Sequence, residues 1–340
     1  MESVYILGDT LITKSSQPNT KISSFGQLHD KVRGEYVEES LLKIVPIAPD
    51  IVVAFAGDVD LATALIEFLK ENLYKTETFE RLFDSVNVSL GPFSKDRQVE
   101  LLLAHSSVNR KTILIKWDTV HGFDDTKSDY YQIGSLTSYH AALTPMALSI
   151  FANGNLPQDR ILAMLTSVVQ SYGVHDNLID QNIGGIIFGL FVHNGNITWQ
   201  EDTNFILYDP DIKIVNFISA FVRDNVLIVN SSFTNSTLAL AHSSSIISTQ
   251  AWLNTWISFI RDHLNSDKYK YWVFLGKAGR VITVLRRDVF DSENKYFSLK
   301  YLGDGKFDLG LSPEMMALLK QPLRDRGDGS LPFRFNFRNA

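Results

Sequence analysis

The chain has 340 residues, carries a formal net charge of -6 and contains no cysteine. Hydrophobic residues make up 45% and charged residues 21% of it, which is ordinary globular usage and argues against disorder, collagen and coiled coil. At about 150 residues per domain, this length predicts two domains, or one domain with a large extension.

Charge and hydropathy also exclude several classes of partner. No long run of like charge appears, so we expect neither nucleic acid nor a membrane surface as a partner. The longest apolar stretches, such as residues 183–192, are shorter than the roughly 20 residues that cross a bilayer. No signal-peptide pattern opens the chain, and the lack of cysteine fits a reducing compartment. The sequence therefore predicts a cytoplasmic protein.

The first part of the chain predicts a strand, a hairpin and a helix. An apolar run ends at Gly8-Asp9, and the polar stretch 14–40 predicts a long loop or a mobile hairpin. Two apolar runs, 42–46 and 50–55, predict a β-hairpin about a proline turn. Beyond it, apolar residues recur every three or four positions, which predicts a helix to about Tyr74 with Asp58 or Asp60 as its N-cap.

The middle of the chain predicts strands, then two helices, then a hairpin. The strands are expected at 99–105, 112–117 and 131–133, the helices at 137–151 and 157–172, and the hairpin at 185–201. The hairpin turn is Asn194-Gly195, a strong turn dipeptide.

A second region of mixed composition follows Asp209-Pro210. Hairpin-like strands are expected at 212–220, 225–230, 271–286, 296–301 and 306–311, with helices at 248–263 and after Pro313. This change predicts two domains, one spanning residues 1–208 and the other residues 209–340.

Short motifs occur in a recognisable order along the first region. They are Gly8-Asp9, the Lys43 hairpin that ends at Ala56-Gly57, the pair Gly134-Ser135, and Asp180 with Gly184-Gly185. In order and spacing, residues 4–205 resemble the proteasome-like branch of the N-terminal nucleophile hydrolases. The resemblance implies an α+β fold in which a four-layer αββα sandwich is followed by an additional C-terminal α+β region.

The resemblance also implies roles for particular side chains. In that family an amino-terminal threonine attacks a peptide carbonyl, so the corresponding supporting residues here are Asp9, Lys43, Ser135 and Asp180. The lysine and the first aspartate tune proton transfer, whereas the serine and the second aspartate support the terminal amino group. Such support is needed because a hydroxyl is a poor nucleophile at its own pKa.

The nucleophile itself is missing from this pattern. Only eight residues precede Asp9, whereas two strands and a hairpin turn need more than about 12. Glu2 is expected to keep Met1 in place, which leaves no terminal hydroxyl residue. We therefore expect a protein that acts through self-assembly or protein interaction without catalytic turnover. The alternative is an active peptidase or amidohydrolase with an unrecognised or processed nucleophile.

Cofactor motifs are absent from the sequence, and the resemblance indicates how the protein associates. The eight histidines show no metal-ligand spacing and no phosphate-binding loop is present, so we predict neither metal nor nucleotide cofactor. The resemblance implies self-association through the helices that follow Gly57 and Ser135. A further protein or peptide partner stays open.

Overall fold

The structure is a computed structural model. It describes residues 3–14, 22–24, 26–27, 36–75, 78–91, 93, 97–108, 112–124, 128–135, 140–152, 156–175, 183–208, 214–232, 236–242, 246–264, 269–276, 282–286, 297–303 and 306–320.

Helices and strands alternate irregularly along the described residues. The helices are α1 (Val59–Asn72), α2 (Phe79–Leu90), α3 (His140–Ala152), α4 (Gln158–His175), α5 (Ile246–Leu264) and α6 (Pro313–Lys320). The first strands are β1 (Val4–Gly8), β2 (Leu11–Lys14), β3 (Ile22–Ser23), β4 (Gly26–Gln27), β5 (Tyr36–Glu39), β6 (Ile44–Ala48), β7 (Ile51–Gly57), β8 (Val99–His105), β9 (Ile113–Asp118) and β10 (Gly122–Phe123). The later strands are β11 (Phe188–His193), β12 (Asn196–Trp199), β13 (Thr203–Tyr208), β14 (Ile214–Arg223), β15 (Val226–Ser231), β16 (Ser236–Leu240), β17 (Tyr271–Gly276), β18 (Ile282–Arg286), β19 (Phe297–Gly303) and β20 (Lys306–Leu311).

Local signals predicted the first hairpin and helix correctly. Strands β6 and β7 form the expected antiparallel hairpin, with Val45 opposite Val53. The Asp58 side chain caps α1 by accepting a hydrogen bond from the Leu61 amide at 2.8 Å. Gly57, which ends β7, has a φ of 106°, a left-handed conformation that glycine adopts without strain. The sequence motif Gly57-Asp58 therefore ends the strand and starts the helix.

One predicted strand is wrong. Residues 131–133 form no strand in the structure. The segment is held through side chains instead, because the Gln132 carbonyl accepts from Lys116 at 3.4 Å and the Gly134 amide donates to Glu100 at 2.6 Å. The apolar run alone could not distinguish these contacts from a strand ladder.

The described residues form two compact units, each built from discontinuous segments. Unit 1 comprises Met1–Gly8, Lys43–Thr144 and Gly189–Trp199, and unit 2 comprises Asp9–Leu42, Pro145–Phe188 and Gln200–Ala340. This division differs from the predicted boundary after residue 208, which stays a prediction. Strand β13 precedes that position, but it pairs with β14 and β17, which both follow it.

Unit 1 contains two sheets and a helical layer. The five-stranded sheet has the order β10-β9-β8-β7-β6 and the three-stranded sheet the order β1-β11-β12. Apolar side chains of the two sheets pack together in one core cluster, which includes Ile6, Val52 and Leu190. Helix α1 contacts β7, β6 and α2. Within this unit, helices α1 and α2, the five-stranded sheet and the three-stranded sheet therefore form three layers.

Unit 2 is built on a six-stranded sheet with the order β16-β15-β14-β13-β17-β18. All its pairs are antiparallel except β13 with β17. One face of the sheet packs against Ile260 and Leu264 of α5 and Met315 of α6. Helix α4 contacts β17 and β18. The polar stretch after β2 contains β5, which pairs antiparallel with β2 as a hairpin would.

These separate sheets and helices confirm the predicted α+β class. The four-layer αββα sandwich stays a prediction, because the units are described here one at a time. No helix in the described ranges is both long and apolar enough to cross a bilayer.

Candidate functional site

Two of the predicted motifs meet in unit 1. Gly134 has a φ of 65°, and a Cβ placed on it would lie 2.7 Å from the Cβ of Ala56. The turn before Ser135 therefore packs directly on the end of the β6–β7 hairpin. Glu100 holds this turn, because its carboxylate accepts from the Gly134 amide at 2.6 Å and pairs with the Lys116 ammonium at 3.1 Å.

The predicted residues of this unit occupy different environments. Lys43 immediately precedes β6 and is half-buried, and its carbonyl accepts a hydrogen bond from the Phe55 amide at 3.1 Å. Ser135 directly follows Gly134 and is exposed. The sequence did not single out Glu100 or Lys116. Their pairing depends on the register of β8 with β9, where Lys116 lies opposite Leu102.

Asp9 and Gly184, one residue from each of the other two motifs, meet in unit 2. The Asp9 carboxylate accepts from the Gly184 amide at 3.1 Å, and the Thr10 amide donates to the Gly184 carbonyl at 3.3 Å. Asp9 and Gly184 are therefore brought together, although 175 positions separate them. Asp180 lies outside the described residues. The catalytic roles of Asp9, Lys43, Ser135 and Asp180 stay predictions.

Glu39 is the centre of this second cluster, and sequence analysis missed it. Its side chain is buried, with 3% of the residue exposed. One carboxylate oxygen accepts from the Thr10 hydroxyl at 2.8 Å, the Ser24 hydroxyl at 2.9 Å and the Ile186 amide at 3.0 Å. The other accepts from the Ser24 amide at 2.5 Å. These neutral donors solvate the carboxylate in place of water.

The Thr10 hydroxyl makes its hydrogen bonds within this network. Thr10 has no exposed surface, and its Oγ1 donates to Glu39 while accepting from the Ile186 amide at 3.1 Å. In this position the hydroxyl joins Glu39 to the Ile186 backbone through hydrogen bonds. Because it is buried, a substrate carbonyl cannot reach it. Thr10 is therefore a structural residue of unit 2.

Gly185 is required by the close packing of the same cluster. Its φ is 68°, and an added Cβ would lie 2.7 Å from the Glu39 carboxyl carbon and closer still to the Thr10 hydroxyl. Gln170 of α4 fixes the turn from the other side, since its amide donates to the Gly185 carbonyl at 3.2 Å and accepts from the Ile187 amide at 2.7 Å.

Gly185→Ala is expected to destabilise the protein more than Gly122→Ala, and urea unfolding of both variants tests this. Both glycines have a positive φ, but a Cβ at Gly122 meets open space. The left-handed conformation costs both variants about 1–2 kcal/mol, and crowding against Thr10 and Glu39 adds about 1–3 kcal/mol for Gly185 alone. Equal losses in the two variants would contradict the close approach seen at Gly185.

A charged cluster holds the end of α5 in unit 2. The Asp202 carboxylate accepts two hydrogen bonds from Arg223, at 2.8 and 3.0 Å, and lies 2.8 Å from Nε2 of His263. Burial alone raises the pKa of Asp202, but the adjacent His263 ring and the hydrogen bonds from Arg223 outweigh it and bring that pKa below its ordinary value. Asp202 is therefore a charged structural anchor.

A second charged cluster joins the start of α4 to β17. The Lys270 ammonium lies 2.8 Å from Asp159 and 2.9 Å from Glu201, and the Tyr271 hydroxyl donates to Asp159 at 2.8 Å. Burial raises the pKa of Asp159, but the hydrogen bonds from Lys270 and Tyr271 lower it below the ordinary value overall. Burial and the neighbouring Asp159 carboxylate raise the pKa of Tyr271. The phenol therefore stays neutral and acts as a donor.

Metal ligands do not converge anywhere in the described part of the chain. No group of three or more histidine or carboxylate side chains there could hold an ion.

Comparisons with known proteins give matches among solved structures alone. No family model matches the sequence, and no curated protein matches it. Among solved structures, the chain is similar to eukaryotic HslV from Trypanosoma brucei, with 14% sequence identity and a TM-score of 0.36. The similarity covers 56% of this chain and 92% of that one.

Proposed function

We propose that this chain is a proteasome-like protein that acts by associating with copies of itself, without catalytic turnover. The proposal includes the four-layer αββα arrangement and the self-association that the family resemblance implies. The observation that carries it is the surface of α3, the helix that follows Ser135.

Helix α3 carries apolar side chains on its exposed side as well as on its buried side. Leu143, Met146 and Ile150 are buried, whereas Leu148 is 59% and Phe151 42% exposed. The sequence from His140 to Ala152 contains no lysine, arginine, aspartate or glutamate. A helix that is hydrophobic all round is normally covered on all sides, so the outer face of α3 suits a protein interface.

The exposed residues of α3 have a self-complementary spacing. Pro145 and Phe151 lie three positions before and after Leu148, and all three are exposed. If two copies pack antiparallel about a two-fold axis at Leu148, each Phe151 meets the Pro145 of the other copy. An isologous contact of this kind needs a single surface patch. A second copy of the chain is therefore the favoured partner.

Helix α1 is less suited to this role. Its exposed positions include Asp60, Glu67 and Glu71, and Glu67 pairs with Lys70 at 2.8 Å. A charged, solvated face of this kind is normal for a surface helix. The contribution of α1 to association stays a prediction from the resemblance.

Leu148→Glu is expected to dissociate the protein, and light scattering coupled to gel filtration measures the mass directly. The added carboxylate would be desolvated in the interface, which disfavours association. Val88→Glu, at an exposed apolar position of α2, is the matched control and should keep the mass of the parent protein. A monomer in every variant and in the parent would refute self-association, and an unchanged mass for Leu148→Glu would refute the role of α3.

An active hydrolase is the second candidate, and one contact favours it. The Ser3 hydroxyl lies 2.9 Å from Nδ1 of His193, and both residues belong to unit 1. An imidazole at this distance can act as a base toward a serine hydroxyl. This pair would be the nucleophile that the sequence pattern lacks.

Intact-mass analysis after treatment with epoxyketone and fluorophosphonate reagents separates the two candidates. We expect no covalent adduct, since Thr10 is buried and a Ser–His pair needs further groups to stabilise the oxyanion. An adduct that Ser3→Ala or His193→Asn abolishes would favour the hydrolase. Ser89→Ala, at an exposed serine of α2, is the control for labelling at an unrelated serine.

A further inference from the structure

One transverse row of the six-stranded sheet in unit 2 is polar. Asn204 of β13 lies opposite Ser219 of β14, Ser219 lies opposite Asn230 of β15, and Asn230 lies opposite Thr237 of β16. Residues paired directly across neighbouring strands point to the same face of a sheet. These four residues, which we name the polar row, therefore share one face.

The polar row lies on the apolar face of the sheet. Ile206, Phe217 and Ile228 are each two positions from a member of the row, so they point the same way, and all three belong to the core cluster that packs against α5 and α6. Asn204 and Ser219 are 0% exposed and Asn230 is 1% exposed. Amide groups thus lie inside an apolar core, away from bulk water.

Hydrogen bonds within the row pair only one polar atom of the Asn204 amide and one of the Asn230 amide. The Ser219 hydroxyl donates to Oδ1 of Asn204 at 2.7 Å, and Nδ2 of Asn230 donates to the Thr237 hydroxyl at 2.7 Å. The remaining atoms, Nδ2 of Asn204 and Oδ1 of Asn230, are buried and have no hydrogen-bond partner among the described residues. The Tyr269 hydroxyl belongs to the same core cluster and is likewise buried without a hydrogen-bond partner among the described residues.

A buried donor and a buried acceptor are thus left over on two members of the row. Native proteins pair nearly all such groups, with protein atoms or with ordered water. Water both donates and accepts, so it matches this combination, whereas an ion would need a charged partner. No member of the row carries a charge, and water in buried positions normally joins polar groups that would otherwise be unpaired.

We propose that the polar row binds internal water, with one molecule that accepts from Nδ2 of Asn204 and another that donates to Oδ1 of Asn230, since β14 separates the two residues. This water belongs to the core of unit 2 and is independent of the association proposed for α3. Because the same cluster holds Ile260 and Leu264 of α5, the water is part of the packing between the sheet and that helix.

Magnetic relaxation dispersion of ²H and ¹⁷O on the full-length protein tests the proposal, because it detects water that stays inside a protein for longer than the protein tumbles. We expect a dispersion from the parent protein that is lost in part in Asn204→Leu and in Asn230→Leu. Asn216→Leu is the matched control. Asn216 lies on the opposite face of β14, is 7% exposed, and accepts from the Ser232 hydroxyl at 3.3 Å.

The control variant should keep the dispersion of the parent protein. Identical dispersions for the parent and all three variants would overturn the proposal. If a leucine variant does not fold, NMR of the parent protein labelled with ¹⁵N-asparagine tests the site instead. Cross-relaxation between bound water and the Asn204 side-chain amide supports the site, and its absence refutes it.

Discussion

Glu39→Ala is expected to lower the free energy of unfolding by at least about 3 kcal/mol, because each buried donor that loses its acceptor costs about 1–3 kcal/mol. The alanine leaves the Thr10 hydroxyl, the Ser24 hydroxyl and amide, and the Ile186 amide without their shared acceptor. Because these donors lie just before β2, just after β3 and in the turn before β11, the loss affects three distant parts of unit 2. Urea unfolding followed by circular dichroism measures it.

Two further variants make this experiment specific. Glu67→Ala removes a glutamate from an exposed ion pair on α1 and should change stability by no more than about 0.5 kcal/mol. Glu39→Gln keeps the size of the side chain and one acceptor oxygen, so we expect a loss between those of the two alanine variants. A Glu39→Ala variant as stable as Glu67→Ala would show that the buried network contributes little.

Asp202→Asn is expected to cost about 3 kcal/mol at neutral pH, because Arg223 and the buried His263 lose their carboxylate. The effect should depend on pH in a defined direction. The pKa of Asp202 is lowered in the folded protein, so its contribution is present above the unfolded pKa of about 3.9 and is lost as pH falls through the folded pKa. The stability difference between parent and variant should therefore be largest near neutrality and shrink below about pH 4.

Urea unfolding at several pH values, with Asp262→Asn as the control, measures this dependence. Asp262 is the exposed neighbour of His263 in the last turn of α5. Its replacement should change stability little at any pH, since an exposed charge is screened and solvated in both states. A constant difference between the parent and Asp202→Asn from pH 7 to pH 3 would contradict the anchoring role of this carboxylate.

Sequence patterns predicted most elements because the signals are local. The hairpin of β6 and β7, the Asp58 cap and the Asn194-Gly195 turn each depend on residues within one or two turns of chain. The same reasoning omitted α2, β13 and β16, and it assigned a strand to residues 131–133. In that segment, Lys116 and Glu100 from other strands decide the backbone conformation.

The motif order included Gly8-Asp9 and Gly184-Gly185 in one family pattern, but it did not reveal the Glu39 network beside them. Glu39 reads as a surface acid in a polar stretch, and it is buried because β5 pairs with β2, where it lies opposite Leu11. The polar row has the same origin, since Asn204, Ser219 and Asn230 become neighbours only through strand pairing. Periodicity and turn chemistry act over a few residues, so the chain encodes its α+β class and its hairpins locally. Burial of a carboxylate, completion of a hydrogen-bond network and exposure of one face of α3 depend on strand register and packing between distant segments, which only the folded protein establishes.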